Sequence, residues 1–294
     1  DINPERGMPL SEKYSCKFYA NYKEMIQNEK IDAISLVVPT KDHAKIALEV
    51  IERGINLLIE KPIASTIEEA NLIINKAKEK GVVLTVGHIE RFNPVVTKLK
   101  QMIDDGKLGN ITSIVAKRVG VGGAEPPDDN VITDLAVHDI DIMSYLLGKA
   151  PTKVHSIGSH AIYSKRLDCA EILLNFGGSS GFIQVNWITP IKIRSLCVTG
   201  TNGYAELDYI SQKLVLYEHN YKKEYDTFGE YLINFGQPNK IEVGVNKDEP
   251  LKLEIRRFID CVANKSPPAV SGYDGMKALE VAIEAMKQLT NDQP

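Results

Sequence analysis

The sequence predicts a two-domain α/β chain, a parallel sheet covered by helices followed by an α+β domain on a mixed or antiparallel sheet. Three observations carry that reading. Between residues 33 and 86, short apolar runs alternate three times with helix-period segments. From about Asn110 the pattern changes to period-two strands joined by glycine-rich or polar turns. A length of 294 residues is enough for two ordinary hydrophobic cores.

Each element has its own local reason. Residues 33–38 (AISLVV) read as a buried strand ending at Pro39. In 42–53, Ala44, Ala47, Leu48 and Ile51 share one helical face, and Gly54 stops the helix. Residues 56–59 (NLLI) are the next strand. Ser65 and Thr66 stand three residues before Glu68 and Glu69, a capping-box spacing, and the amphipathic helix they open closes at Gly81. Residues 82–86 (VVLTV) are a third strand, and the right-handed crossover rule places all three in one parallel sheet. Pro94 suits the first turn of another helix. Further on, 111–118, 170–176, 180–187 and 194–199 alternate as strands, with a helix inserted at 134–147. Helices at 251–263 and 273–289 close the chain. The expected division is 1–109 as a cofactor platform and 110–271 as a substrate-binding and oligomerisation domain, with helix 272–290 able to pack back on the first.

Composition narrows the function. A hydrophobic fraction of 43% with 25% charged residues is that of a soluble globular protein, and no apolar run approaches the roughly 20 residues that span a bilayer. A net charge of −4, with basic residues spread among acidic ones, argues against nucleic acid as a partner and for a small molecule. Cys16, Cys169, Cys197 and Cys261 are scattered, without the paired spacing of a metal or redox site, and read as reduced, buried thiols of a cytoplasmic protein.

The start of the chain suggests a dinucleotide-binding unit entered partway. That unit runs strand, G-x-G-x-x-G turn, helix, strand, then an acidic residue that hydrogen-bonds the adenosine ribose. Asp1 stands where that acid belongs, although a solvated terminal aspartate is the other reading. The expectation is that roughly 30 further residues precede it and carry the glycine loop.

Four segments carry candidate chemistry. Pro39 to His43 (PTKDH) lies at the carboxyl end of a strand and the start of a helix, where ligands of open sheets bind; an ordinary turn capped by Asp42 is the alternative. Glu60-Lys61-Pro62 occupies the same edge one strand later, and a lysine there can polarise a substrate hydroxyl, unless it is only a surface pair. Asp134 and His138, four apart on a helix continued by Asp141 and Tyr145, suit a proton-accepting imidazole with a carboxylate that fixes its tautomer. A structural pair that caps the helix is equally compatible, and no further ligand completes a metal site. Gly87 to Pro94 (GHIERFNP) follows the third strand; Arg91 would face cofactor or substrate, and His88 is either a contact or a satisfied structural histidine.

Taken together, Asp1, P-T-x-x-H, E-K-P, G-H-x-x-R-F-N-P and D-x-x-x-H, in this order and spacing, resemble the glucose-fructose oxidoreductase / inositol dehydrogenase (Gfo/Idh/MocA) family over essentially the whole chain. The resemblance implies a Rossmann-type sheet lacking its N-terminal part, a large open-faced, mostly antiparallel sheet, and a homodimer or homotetramer formed through that sheet. It implies NAD, with NADP disfavoured because a carboxylate at Asp1 repels a 2'-phosphate. It maps the catalytic group onto Lys61, His138 and Asp134, with His138 as base and Asp134 as its orienting partner. Expected cofactor contacts are Asp1, Arg6, Pro39, Thr40, His43, Glu60, Lys61, His88 and Arg91.

Within the family, residues 186–194 (NWITPIKIR) and 249–251 (EPL) are most similar to the branch that oxidises UDP-N-acetylglucosamine at the third carbon of the sugar. Lys192 and Arg194 would then meet a pyrophosphate, and Trp187 or Tyr204 would stack on uracil or sugar. Core patterning of Trp187 with Ile183 and Val185, and solvated strand-edge cations, are the competing readings. Other outcomes kept open are an inositol or free-sugar dehydrogenase and a non-catalytic binding or regulatory protein on the same scaffold.

Overall fold

Asparagine caps open the chain: Asn3 accepts from the Glu5 N–H at α1 (Pro4–Tyr14), and Asn21 from the Lys23 N–H at α2 (Tyr22–Asn28). The computed structural model describes residues 1–121, 130–162, 166–225 and 231–291. Next come β1 (Ala33–Leu36), α3 (Thr40–Glu52), β2 (Asn56–Glu60), α4 (Ile67–Lys80) and β3 (Leu84–Gly87), and the strands form a parallel sheet in the order β1-β2-β3. The box at α4 closes with one residue of offset. Thr66 Oγ1 accepts from the Glu69 N–H while the Glu69 carboxylate accepts from the Ser65 N–H, and Gly81 ends the helix at φ +65°. Ala47, Ile51, Leu57, Ile59 and Ile73 fill the core between sheet and helices.

A 3₁₀ turn (Ile89–Phe92) leads to α5 (Pro94–Asp104), capped by Asn93. Val95, Val96, Leu99 and Met102 of α5, with Leu108, belong to the second core, so this helix serves the second sheet although the pattern placed it with the first domain. Its apolar face, not its position in the chain, decides where it packs.

The second sheet is built from β4 (Ile111–Val119), β5 (Lys153–Ser159), β6 (Cys169–Asn175), β7 (Ser180–Asn186), β8 (Ile193–Gly200), β9 (Gly203–Asp208), β10 (Lys213–Glu218) and, after a separate hairpin of β11 (Tyr221–Tyr225) and β12 (Tyr231–Phe235), β13 (Asn239–Val243). Its order is β13-β10-β9-β8-β4-β7-β6-β5, antiparallel throughout except where β4 runs parallel to β7. Ile114, Ile172, Ile183 and Leu196 point into the core, whereas Leu173, Phe182 and Val115 form an exposed row in register across β6, β7 and β4. The inserted helix is two elements, a π-helical turn (Ile132–Ala136) running into α6 (Val137–Leu147).

α7 (Pro250–Asn264) packs on the 3₁₀ turn, and α8 (Gly272–Asn291) packs on α6 and β5 as well as on α4 and β3, joining both cores. Gly275 permits the close approach, since a Cβ there would lie 2.8 Å from Val86. The thiols are less uniform than expected: Cys261 is buried, Cys169 and Cys197 are partly covered, and Cys16 is exposed. Among the described residues no helix is long and apolar enough to cross a membrane.

Candidate active site

Lys61 leaves the carboxyl end of β2 and reaches across to the π-turn. Its Nζ donates to the main-chain carbonyl of Asp134 at 2.7 Å and to Asp134 Oδ1 at 3.2 Å. Asp134 Oδ2 accepts from Trp187 Nε1 at 3.2 Å, so a single carboxylate receives both the ammonium of one domain and an indole of the other. The turn has a local cause: Asn130 Oδ1 accepts from the N–H groups of Ile132 and Thr133, which starts it.

His138 follows on α6, partly exposed, with its Nδ1 buried and, among the described residues, without a partner. Burial, then the charges of Lys61, Arg118, His88 and Arg194, hold its pKa well below the ordinary imidazole value, so the ring is neutral at neutral pH. The expected hydrogen bond between the His138 ring and the Asp134 carboxylate is not made among the described residues; that carboxylate accepts from Lys61 and Trp187. The two residues share a region while Asp134 orients Lys61 instead.

Two arginines complete the surroundings. Arg118 is buried, bonded by Asp139 at 2.8 and 3.0 Å and by Glu90 at 2.9 Å, and lies over the Tyr209 ring. Burial opposes its charge, but the two carboxylates more than offset this and raise its pKa. Arg194 is half-buried, and its Nη1 donates to the carbonyls of Val119 and Ile193. Burial and Arg118 lower its pKa. The sequence reading missed Arg118, Asp139 and Glu90. The available signal was an arginine at an inward position of β4, in step with Ile114 and Ala116, which demands buried carboxylates.

The remaining candidates are distributed as follows. Glu60 stays at the β2 edge, where its carboxylate accepts from the Lys61 N–H. Pro39 and Thr40 start α3 at the strand ends, and no side chain of the N-cap residue Pro39 bonds the helix. His43 is buried, and both ring nitrogens meet carbonyls, Nδ1 that of Pro62 and Nε2 that of Val38, so it ties the two crevice turns together and presents no edge to a ligand. Arg91 is held bidentately by Asp141 at 2.8 and 2.6 Å and reaches Asp274 at 3.3 Å, so the expected cofactor contact is a clamp between α6 and α8. His88 is 1% exposed, and among the described residues neither ring nitrogen is bonded, so it is neither an open contact nor a satisfied structural histidine there. Asp1 and Arg6 are exposed, and Asp1 Oδ1 accepts from the Asn3 N–H. Trp187, at 4% exposure, continues the inward row of Ile183 and Val185, which removes it as a stacking surface. Tyr204 pairs with Tyr217 along the second sheet, and Lys192 is exposed in the turn before β8.

Comparison with known proteins gives a consistent picture. Residues 1–88 match the model of an oxidoreductase family with an NAD-binding Rossmann fold, and residues 96–206 match the GFO/IDH/MocA C-terminal domain. UDP-N-acetylglucosamine 3-dehydrogenase of Acidithiobacillus ferrooxidans is 27% identical over 97% of this chain and 86% of its own. The NAD(+)-dependent scyllo-inositol 2-dehydrogenase of Bacillus subtilis is also 27% identical, over 92% of this chain and 79% of its own. A solved structure of the Acidithiobacillus enzyme superposes with a TM-score of 0.84 at 24% identity, covering 98% of this chain and 88% of its own, and shares the fold.

Proposed function

The chain belongs to the GFO/IDH/MocA oxidoreductase family with its NAD-binding Rossmann fold, and from that premise we propose that it oxidises a secondary hydroxyl of a sugar nucleotide, at the third carbon of a UDP-N-acetylglucosamine-like substrate. The observation that carries this reading is the meeting of Lys61, Asp134 and His138 at the carboxyl edge of the parallel sheet, with Arg194 close enough for its charge to be felt there.

The residues at this edge fit a dinucleotide. The positive dipole end at the start of α3 would favour an anion, Thr40 and Glu60 would meet ribose or phosphate oxygens, and Asp1 would favour NAD over NADP. Bound there, the nicotinamide supplies the hydride acceptor. His138, neutral at neutral pH, takes the hydroxyl proton at the nitrogen left to the cleft, Nε2. Lys61 donates to the hydroxyl oxygen and, together with Arg118 and Arg194, favours the developing alkoxide. Asp134 holds Lys61 in place by two hydrogen bonds. Arg194, whose other guanidinium N–H groups have no partner among the described residues, and the exposed Lys192 would bind the pyrophosphate.

A polyol substrate is the second reading, favoured by the equal identity to the inositol enzyme. Formation of reduced NAD with UDP-N-acetylglucosamine, myo-inositol and glucose separates the two; turnover of none of them removes both. The row of Leu173, Phe182 and Val115 is the face through which we infer a homodimer or homotetramer. Phe182→Glu should then yield monomers in sedimentation, and unchanged mass would refute that face.

A further inference from the structure

The ammonium of Lys61 carries three N–H groups, and Asp134 takes two of them, one on its main-chain carbonyl at 2.7 Å and one on Oδ1 at 3.2 Å. The third can meet a substrate oxygen. Because the three N–H directions are fixed to one another, the first two bonds decide where the third points. The bond to the carbonyl is held by the backbone of the π-turn (Ile132–Ala136). The bond to the carboxylate has no such support of its own, since the terminal torsion of an aspartate is broad and roughly two-fold, and a lysine at the end of a flexible stem does not hold it still.

Trp187 supplies the fixed point. Its Nε1 donates to Asp134 Oδ2 at 3.2 Å, on the carboxylate oxygen opposite the one that meets Lys61. The indole cannot follow a carboxylate that swings. It is 4% exposed and packed in the second core with Ile183 and Val185, and its main-chain N–H donates to the Asp168 carbonyl at 3.0 Å. Asp168 is itself fully buried, and its carboxylate accepts from the N–H groups of Ala161 at 2.8 Å and Ile162 at 2.6 Å, which ties the end of β7 to the connection between β5 and β6. Packing alone would be served by phenylalanine; the indole adds one donor, on the edge that meets the π-turn.

We propose that Trp187 is a positioning residue: its indole N–H fixes the rotation of the Asp134 carboxylate, and through it the direction in which Lys61 offers its remaining N–H to the substrate hydroxyl. This rests on Lys61 polarising that hydroxyl in the reading above. No bond forms or breaks at Trp187. Its contribution lies in the aim of the ammonium, and a reacting group misplaced by about 1 Å costs roughly 100-fold in rate.

The chain has a single tryptophan, so replacing tryptophan throughout by its benzothienyl analogue, in which sulfur stands where the indole carries N–H, alters this group alone and keeps the shape of the ring. Proton–carbon NMR on the full chain with labelled lysine reads the effect without substrate. The two Hε protons of a held lysine are inequivalent and merge when the side chain rotates freely. Those of Lys61, assigned by their loss in Lys61→Met, are expected to be separate in the wild type and to merge in the analogue protein. In parallel, kcat should fall roughly 10-fold to 100-fold in the analogue protein, with KM for NAD and for the sugar substrate little changed. Merged signals in the wild type overturn the proposal. So do signals that stay separate in the analogue protein, and so does a wild-type kcat there. If the signals of Lys61 follow the indole while no sugar or sugar nucleotide is oxidised, the link from Trp187 through Asp134 to Lys61 stands and the dehydrogenase reading is what fails.

Discussion

The ammonium of Lys61 lies 2.7 Å from the main-chain carbonyl of Asp134 and 3.2 Å from its carboxylate, so the end of a parallel strand is tied to the π-turn of the second domain. Lys61→Met removes the donor that would polarise the substrate hydroxyl. Steady-state kinetics should show kcat lower by roughly 100-fold or more with a smaller change in KM. Lys61→Arg should not restore the rate, because the guanidinium fork has different reach and geometry. Normal turnover in Lys61→Met would remove this residue from the reaction.

His138 predicts a specific pH dependence. Its folded pKa is depressed, so the required neutral form persists to acid pH, and the acid limb of kcat/KM should lie below the ordinary imidazole value of about 6.5. His138→Ala should lower turnover about 100-fold and abolish that limb. The same depression, shared by His88, makes the unfolded chain bind protons first. Stability should therefore fall as pH drops below about 6.5, and less steeply in His138→Ala. A limb centred at or above that value would contradict the buried, cation-flanked ring.

Arg194 distinguishes the substrate readings. Arg194→Ala should raise KM for a UDP-sugar by roughly tenfold or more, the loss of a charge-assisted hydrogen bond, while leaving KM for a free sugar near wild type. Equal effects on both would mean that the side chain serves only the Val119 and Ile193 carbonyls it already bonds.

Glu254 on α7 is 1% exposed, and its Oε1 is buried without a partner among the described residues. Burial, then the charges of Glu60 and Glu249, push its pKa up to about 8. The folded chain thus keeps a proton that the unfolded chain releases near the ordinary carboxyl value, and stability is lost progressively as pH rises from about 4.5 through about 8. Glu254→Gln, neutral at every pH, should show a smaller loss across that window in urea melts, with a gain over wild type on the order of a few kcal/mol at its upper end. Parallel profiles for the two proteins between those pH values would refute this.

Legibility differed between elements for identifiable reasons. The strand and helix units from Ala33 to Gly87 were readable because apolar periodicity and caps such as Thr66 and Gly81 are local signals. β5 was not, since its inward positions include Val154 and Ser156, and Ser156 is held by a hydrogen bond to the Ala285 carbonyl of α8, 129 residues away. Trp187 could be resolved only by seeing which face of β7 is covered. Arg91 and His43 read as ligand contacts because they lie at the right edge, but Asp141, Asp274 and two backbone carbonyls meet them there.

By itself the sequence determined the fold class and the parallel platform, because hydrophobic period is a property of short segments. Only the tertiary structure decided who bonds whom: Asp134 goes to Lys61 and Trp187, Arg91 to Asp141, and the buried nitrogens of His88 and Nδ1 of His138 find no partner among the described residues. Such partners lie many residues apart along the chain, and a buried carboxylate accepts whichever donors the packing brings first, a competition that spacing along the chain does not record.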